Sequence, residues 1–168
     1  MIGIFFGSDT GNTKKVAFYI QKIIGKKKSK VFDISKCKKN DLENYKYLIL
    51  GIPTWFYGEP QSDWENFLKV FKKIKFSEKK VAIFGCGDQE DYPEYFCDAM
   101  KILFNIIKKS GGLIFGEWPS KGYNFLSSKS LIKKNKFLGL VIDEDRQSSL
   151  TKIRVKKWIK QITVEMKL

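Results

Sequence analysis

The chain has 168 residues, 43% of them hydrophobic and 30% charged, the size and composition of one globular domain with a real core, which excludes a disordered chain. A net charge of +14 raises nucleic-acid and membrane-surface binding as readings to be weighed, yet no RNA or DNA motif accompanies the lysines. The absence of histidine removes histidine triads, imidazole acid-base chemistry and histidine metal sites. Cys37, Cys86 and Cys97 form no C-x-x-C pair, so neither a zinc site nor a secreted disulfide framework is expected, and the thiols fit a reducing compartment. No apolar run approaches the ~18 residues of a membrane span and no basic leader opens the chain, so a soluble, cytoplasmic protein is expected.

The first apolar run, Ile2 to Phe6, is followed by Gly7-Ser8-Asp9-Thr10-Gly11-Asn12-Thr13. Helical spacing then begins, with Val16, Ala17, Ile20, Ile23 and Ile24 on one face and Gly25 as the stop. This is the pattern of a phosphate-binding strand-loop-helix turn: hydroxyls from Ser8, Thr10 and Thr13, a flexible Gly11, and the free N–H groups of a helix start whose dipole favours an anion. A nucleoside-triphosphate loop G-x-x-x-x-G-K-[ST] carries lysine where Asn12 stands, so triphosphate hydrolysis is disfavoured and a single monophosphate is the better guest. Asp9 has a plainer reading as a cap of the first helix.

Further strand-length runs are Val31 to Ile34, Tyr47 to Ile52, Val81 to Gly85, Leu113 to Phe115 and Phe137 to Ile142. Helical spacing recurs at Trp64, Phe67, Leu68 and Phe71, at Phe96, Met100, Leu103, Phe104 and Ile107, and at Leu150, Ile153, Trp158, Ile159 and Ile162. Near-continuous apolar strands alternating with amphipathic helices predict a doubly wound α/β fold, a parallel sheet covered on both faces, as a single domain over 1–168. Residues 116–136 read as an insertion within or beside the fifth strand, a long loop without its own helix or strand.

In such sheets ligands bind beyond the carboxyl ends of the strands at the topological switch point, so the loops after strands one, three and four should converge. The third-strand loop is Pro53-Thr54-Trp55-Phe56-Tyr57-Gly58 and the fourth is Cys86-Gly87-Asp88-Gln89-Glu90-Asp91-Tyr92. An anion site beside loop aromatics predicts a planar ligand held between rings, each stacked aromatic contributing about 0.5–1.5 kcal/mol beyond its buried area. Gly58 and Gly87 also read as turn glycines needing positive φ. Gly85-Cys86-Gly87 lacks the third glycine of a dinucleotide fingerprint.

In this order and spacing, Ser8 to Thr13, Pro53-Thr54-Trp55, and Gly87-Asp88-Gln89 followed by Tyr92 resemble the flavodoxins, and the insertion resembles their long-chain bacterial branch. Gly51 to Trp55, Phe84 to Tyr92 and Ile142 to Gln147 extend the resemblance over essentially the whole chain. It implies a five-stranded sheet of order 2-1-3-4-5 and non-covalent FMN. It also implies a monomeric one-electron carrier, with no turnover of its own, between a flavoprotein reductase and low-potential acceptor enzymes docked transiently at an acidic flavin edge. Ser8, Asp9, Thr10, Gly11, Asn12 and Thr13 would then hold the phosphate region. Thr54, after Pro53, would lie between phosphate and ribityl; Trp55 and Tyr92 would flank the ring system. Asp88 and the backbone from Cys86 and Gly87 to Gln89 would meet the ribityl or pyrimidine side, and the Phe56-Tyr57-Gly58 backbone would face N5. An FMN-dependent NAD(P)H or quinone oxidoreductase of the same fold is the runner-up. A receiver domain lacks its acids, because Ser8 and Thr54 occupy the comparable turns.

Residues 85–98 carry Asp88, Glu90, Asp91, Glu94 and Asp98 with no basic residue, and residues 53–68 carry Glu59, Asp63 and Glu65 with none. Like charge at that rim is expected to lower the second reduction step of a flavin. The chain departs from the acidic family pattern in its lysines. These cluster before strands two and four and on the last helix, read as solvated and away from the flavin edge, so a nucleic-acid surface is not expected.

Overall fold

The computed structural model describes residues 1–168. Its strands and helices in chain order are β1 Ile2–Phe6, α1 Asn12–Ile24, β2 Ser29–Asp33, α2 Lys39–Glu43, β3 Tyr47–Trp55, β4 Glu59–Pro60 and α3 Ser62–Phe71. There follow β5 Lys80–Cys86, α4 Met100–Lys109, β6 Leu113–Phe115, β7 Trp118–Pro119, β8 Leu131–Lys133, β9 Lys136–Phe137, β10 Leu140–Ile142 and α5 Ser148–Met166. All five residues of β1 are buried, because helices cover both faces of the sheet and leave no side for alternating polar residues.

The principal path is β2-β1-β3-β5-β10, parallel throughout. The fifth position is shared: β6 pairs Lys80 to Ala82 of β5, and β10 pairs Phe84 to Cys86 further along the same strand. The insertion leaves and rejoins between these two halves. It is not the structureless loop expected from 116–136, since β7, β9 and β8 form a small antiparallel sheet of their own. Strands of two or three residues are too short to show a period in sequence.

α1 packs on β1, β2 and β3, α4 on β3 and β5, and α5 returns to pack against α1. Gly25, at φ 98°, ends α1 where the sequence placed the stop. The second connection holds α2, five residues without an apolar period, fixed by the Asp41 carboxylate accepting from Lys38 N at 2.6 Å. β3 runs three residues past its expected end at Ile52. Its pairing with β1 stops at Gly51, so Pro53 removes no needed donor there, and Trp55 pairs back to Glu59 across a tight turn at 56–58.

Candidate functional site

The turn after β1 is set by what lies under it. Gly7 N–H donates to Gly51 O at 3.2 Å, and a Cβ on Gly7 would stand 2.7 Å from Trp64 Cδ1 and run into Gln61 Oε1. The buried Gln61 reaches up from the start of α3, its Nε2 donating to Asp9 Oδ1 at 2.8 Å and Asp63 Oδ2 at 2.7 Å. Asp9 is thereby held by Gln61 and does not cap α1, contrary to its plainer reading. Gly11, at φ 92°, is the N-cap; no side chain caps the helix and its first turn carries no acid. Ser8 Oγ accepts from Gly11 N–H at 3.1 Å, which shapes the loop. The first amides of α1 therefore point out of an uncapped, positive helix end.

That end opens on a cleft of about 420 Å³ at the carboxyl edge of the sheet. Ser8, Asp9, Thr10, Asn12 and Thr13 line it from the turn, Pro53, Thr54 and Trp55 from the end of β3, and Cys86, Gly87, Asp88 and Tyr92 from β5 and its loop. Asp145, from the loop after β10, completes the wall and was not singled out from sequence. Gly11 shapes the turn without lining the cleft. Gln89 is buried as a tie between loops, its N–H donating to Asp143 Oδ2 at 3.1 Å and its Oε1 accepting from Asn124 N at 2.6 Å. Phe56 and Tyr57 do not line the cleft; they are 56% and 73% exposed, so neither folds back onto the core. Gly58 closes their turn with φ 89°.

A larger cleft of about 580 Å³ lies at the opposite end of the sheet, between the ends of α1 and α5. Its walls are Ile, Leu, Tyr and Met side chains and Thr163, with Lys27, Lys28, Lys156, Lys160 and Lys167. It lacks the convergent hydroxyls and helix N-terminus of the smaller cleft, which is the better ligand site on chemical grounds.

The donor set of the smaller cleft calls for an acceptor-rich guest. Trp55 Nε1 is buried with no hydrogen-bond partner, a donor that a bound acceptor would satisfy. Thr54 Oγ1 already accepts from Ala99 N–H at 3.0 Å, so its own hydroxyl proton remains available. Burial pushes the Cys86 thiol up to about 12, against a hydrogen bond with Thr13, so it stays a neutral thiol rather than a nucleophile.

The acidic loop carries a counter-charge that its own sequence does not show. Arg146, in the turn between β10 and α5, places Nε 3.2 Å from Asp88 Oδ1 and Nη2 3.1 Å from Asp88 Oδ2, and reaches Glu90 at 3.2 Å and Asp91 at 2.9 Å. The uncompensated acidic rim expected over 85–98 is corrected accordingly. Burial works to raise the Asp88 carboxyl, but the Arg146 hydrogen bond and the Asp91 and Glu90 amides together hold it below the usual carboxylate range. Asp145 is raised, first by burial and then by Asp88 and Asp143, with Arg146 and Asn12 opposing. Buried Asp143 organises this corner, accepting from the amides of Gln89, Asp145 and Arg146. The run Asp143-Glu144-Asp145-Arg146 was the available signal for these residues, a dense charge cluster directly after an apolar strand.

Known proteins match this chain over nearly its whole length. The family model described as Flavodoxin matches residues 4–158. Flavodoxin 1 of Escherichia coli (strain K12) is 56% identical over 166 residues, covering 99% of this chain and 94% of that protein. The flavodoxin of Buchnera aphidicola subsp. Acyrthosiphon pisum is 55% identical over 161 residues, covering 96% and 94%. Among solved structures, Fusobacterium nucleatum flavodoxin bound to flavin mononucleotide has a TM-score of 0.92 at 35% identity, covering 98% of this chain and 97% of that one.

Proposed function

The chain belongs to the flavodoxin family, and from that membership we propose how its own residues hold flavin mononucleotide and present it for electron transfer. It is an FMN-containing electron carrier. The observation that carries the residue assignments is the convergence of three features in one cleft: the uncapped end of α1, the partnerless Trp55 Nε1, and aromatic residues arriving from the end of β3 and from the loop after β5.

In this reading the first amides of α1 and the hydroxyls of Ser8, Thr10 and Thr13 bind the phosphate, with the helix dipole supplying the attraction that no lysine in the cleft supplies. Trp55 and Tyr92 clasp the ring system, and Trp55 Nε1 and the Thr54 hydroxyl give hydrogen bonds to the phosphate or ribityl chain. Asp88 and Gly87 face the ribityl or pyrimidine side. The Phe56–Gly58 backbone, at φ 44° and 89° at its ends, faces the flavin N5 edge, where a turned peptide selects whether a carbonyl or an amide is presented. Bound FMN supplies the capacity to take up and release electrons one at a time.

Redox partners follow from electron carriage; their docking place is part of the proposal. The exposed side chains around the cleft mouth, Tyr57, Glu59, Glu90, Asp91 and Glu94, form an acidic and aromatic surface beside the ring edge. No helix is long and apolar enough to cross a membrane, and we place the protein in the cytoplasm as a single-domain monomer without substrate turnover of its own. The test is titration of the stripped protein with FMN and with riboflavin. Binding of one FMN per chain, at least a hundredfold tighter than riboflavin, supports the phosphate assignment; equal affinity for the two removes it.

A further inference from the structure

The turn at 56–58 rests on a buried carboxylate that the site described so far does not use. Asp98 is 2% exposed. A Cβ built on Gly58 would stand 3.0 Å from Asp98 Oδ2 and 3.1 Å from Asp98 Cβ, so the aspartate occupies the space below the glycine. One residue on, Ala99 N–H donates to Thr54 Oγ1 at 3.0 Å. The Asp98–Ala99 step therefore bonds the chain before the turn, at Thr54, and fills the space against the turn's last residue, Gly58.

The other side of Asp98 belongs to the insertion. Its Oδ1 accepts from Lys129 N–H at 2.7 Å, and the exposed Lys129 ammonium lies 3.7 Å from Oδ2. The neighbours of Lys129 bond the same stretch of backbone: Ser128 Oγ donates to Phe96 O at 2.5 Å and Ser130 Oγ to Cys97 O at 2.6 Å. Three successive residues of the insertion thus splint residues 96–98. A plain filler under Gly58 would be apolar, because a buried carboxylate is costly without partners; here the partners come from the insertion.

We propose that Asp98 is a positioning residue for the flavin edge: it fixes the Phe56–Gly58 turn from below, and Lys129 couples that turn to the insertion. The inference rests on the reading above that this turn faces the flavin. It gives the insertion a role inside the molecule, as the outer half of the support for a turn that would otherwise be free to rearrange.

Two measurements test it. In the FMN-free protein, the Gly58 and Lys129 amide resonances are followed by NMR as pH is lowered from neutrality until the Asp98 carboxyl, raised by burial, is protonated. They should move together with one midpoint in the wild type and lose that transition in Asp98→Asn; a Gly58 resonance indifferent to the substitution overturns the contact. In the FMN-loaded protein, Asp98→Ser is small enough to release Gly58 and polar enough to satisfy the Lys129 amide. It should change the ratio of the two one-electron reduction equilibrium constants at least threefold, and Asp98→Asn should restore the ratio to within threefold of wild type. An unchanged ratio in folded Asp98→Ser overturns the positioning role. A chain that takes up no FMN instead defeats the flavin reading, and the first measurement still decides the contact.

Discussion

Arg146 and Asp88 are 58 positions apart in the chain and meet through two guanidinium nitrogens at 3.1 to 3.3 Å, closing the loop after β5 onto the turn between β10 and α5. The same guanidinium reaches Glu90 and Asp91, so one cation organises three carboxylates at the mouth of the cleft. This changes the electrostatics of the site from a bare acidic rim to a clamped one.

Replacing Arg146 by Gln leaves those carboxylates without their counter-ion, so added negative charge on the flavin is opposed more strongly. The second one-electron potential of Arg146→Gln should be more negative than wild type, whereas Asp88→Asn should make it less negative. Spectroelectrochemical titration reads both, and shifts of the same sign in the two variants contradict the charge account.

The clamp also predicts a pH dependence. The Asp88 carboxyl is held below its ordinary range in the fold, so its contribution to stability is complete above the unfolded value of ~3.9 and is lost as pH falls through the lowered folded value. Asp145 is raised, which works the other way: its contribution is present below the unfolded value and is lost as pH rises through the folded one. Arg146→Gln removes the main support of the lowered Asp88 value, so its acid-induced loss of stability should begin at higher pH than in wild type. Urea midpoints at about pH 3, 4 and 7 measure this, and a difference that does not grow as pH falls contradicts the clamp.

Ring contacts and phosphate contacts separate by ligand. Tyr92→Ala removes a ring contact alone and should weaken FMN and riboflavin by the same factor, roughly 10- to 100-fold if stacking follows the ~1–3 kcal/mol of aromatic platforms. Thr13→Val preserves shape in a buried position and removes one hydroxyl. It should weaken FMN about tenfold and leave riboflavin unchanged, as befits a hydrogen bond to a charged group worth ~1.5 kcal/mol. Fluorescence titration with the two ligands distinguishes the roles.

Gly7→Ala tests the floor of the phosphate turn. The added methyl meets Trp64 and Gln61, both buried, and overpacking of that kind costs ~1–3 kcal/mol. Urea unfolding of the FMN-free protein should show the loss, with FMN affinity falling in parallel because the same contact sets the loop.

The legibility of this molecule in its sequence follows the range of the interactions. The strand-turn-helix at 7–13 was readable because its glycines and the helix start are local, and the parallel sheet because β1, β3 and β5 are buried on both faces and so nearly continuous in apolar residues. The Asp9–Gln61 bond, the Arg146 clamp and the Lys129–Asp98 contact join residues 52, 58 and 31 positions apart, and no periodicity announces them. Pro53 to Trp55 looked like loop because a proline usually ends a strand; β3 continues because its β1 side is already free of pairing there. The lysines kept their expected place in part. None lines the smaller cleft, and five surround the cleft at the far end, but Lys129, Lys133 and Lys136 lie on the insertion and engage Asp98 or Glu117.

The central claim is one-electron carriage by a flavin whose two reduction steps are set apart by this cleft. A potentiometric reductive titration of the FMN-loaded protein tests it most directly. Two resolved one-electron steps, the second at lower potential than the first, are expected; a single two-electron step contradicts the account.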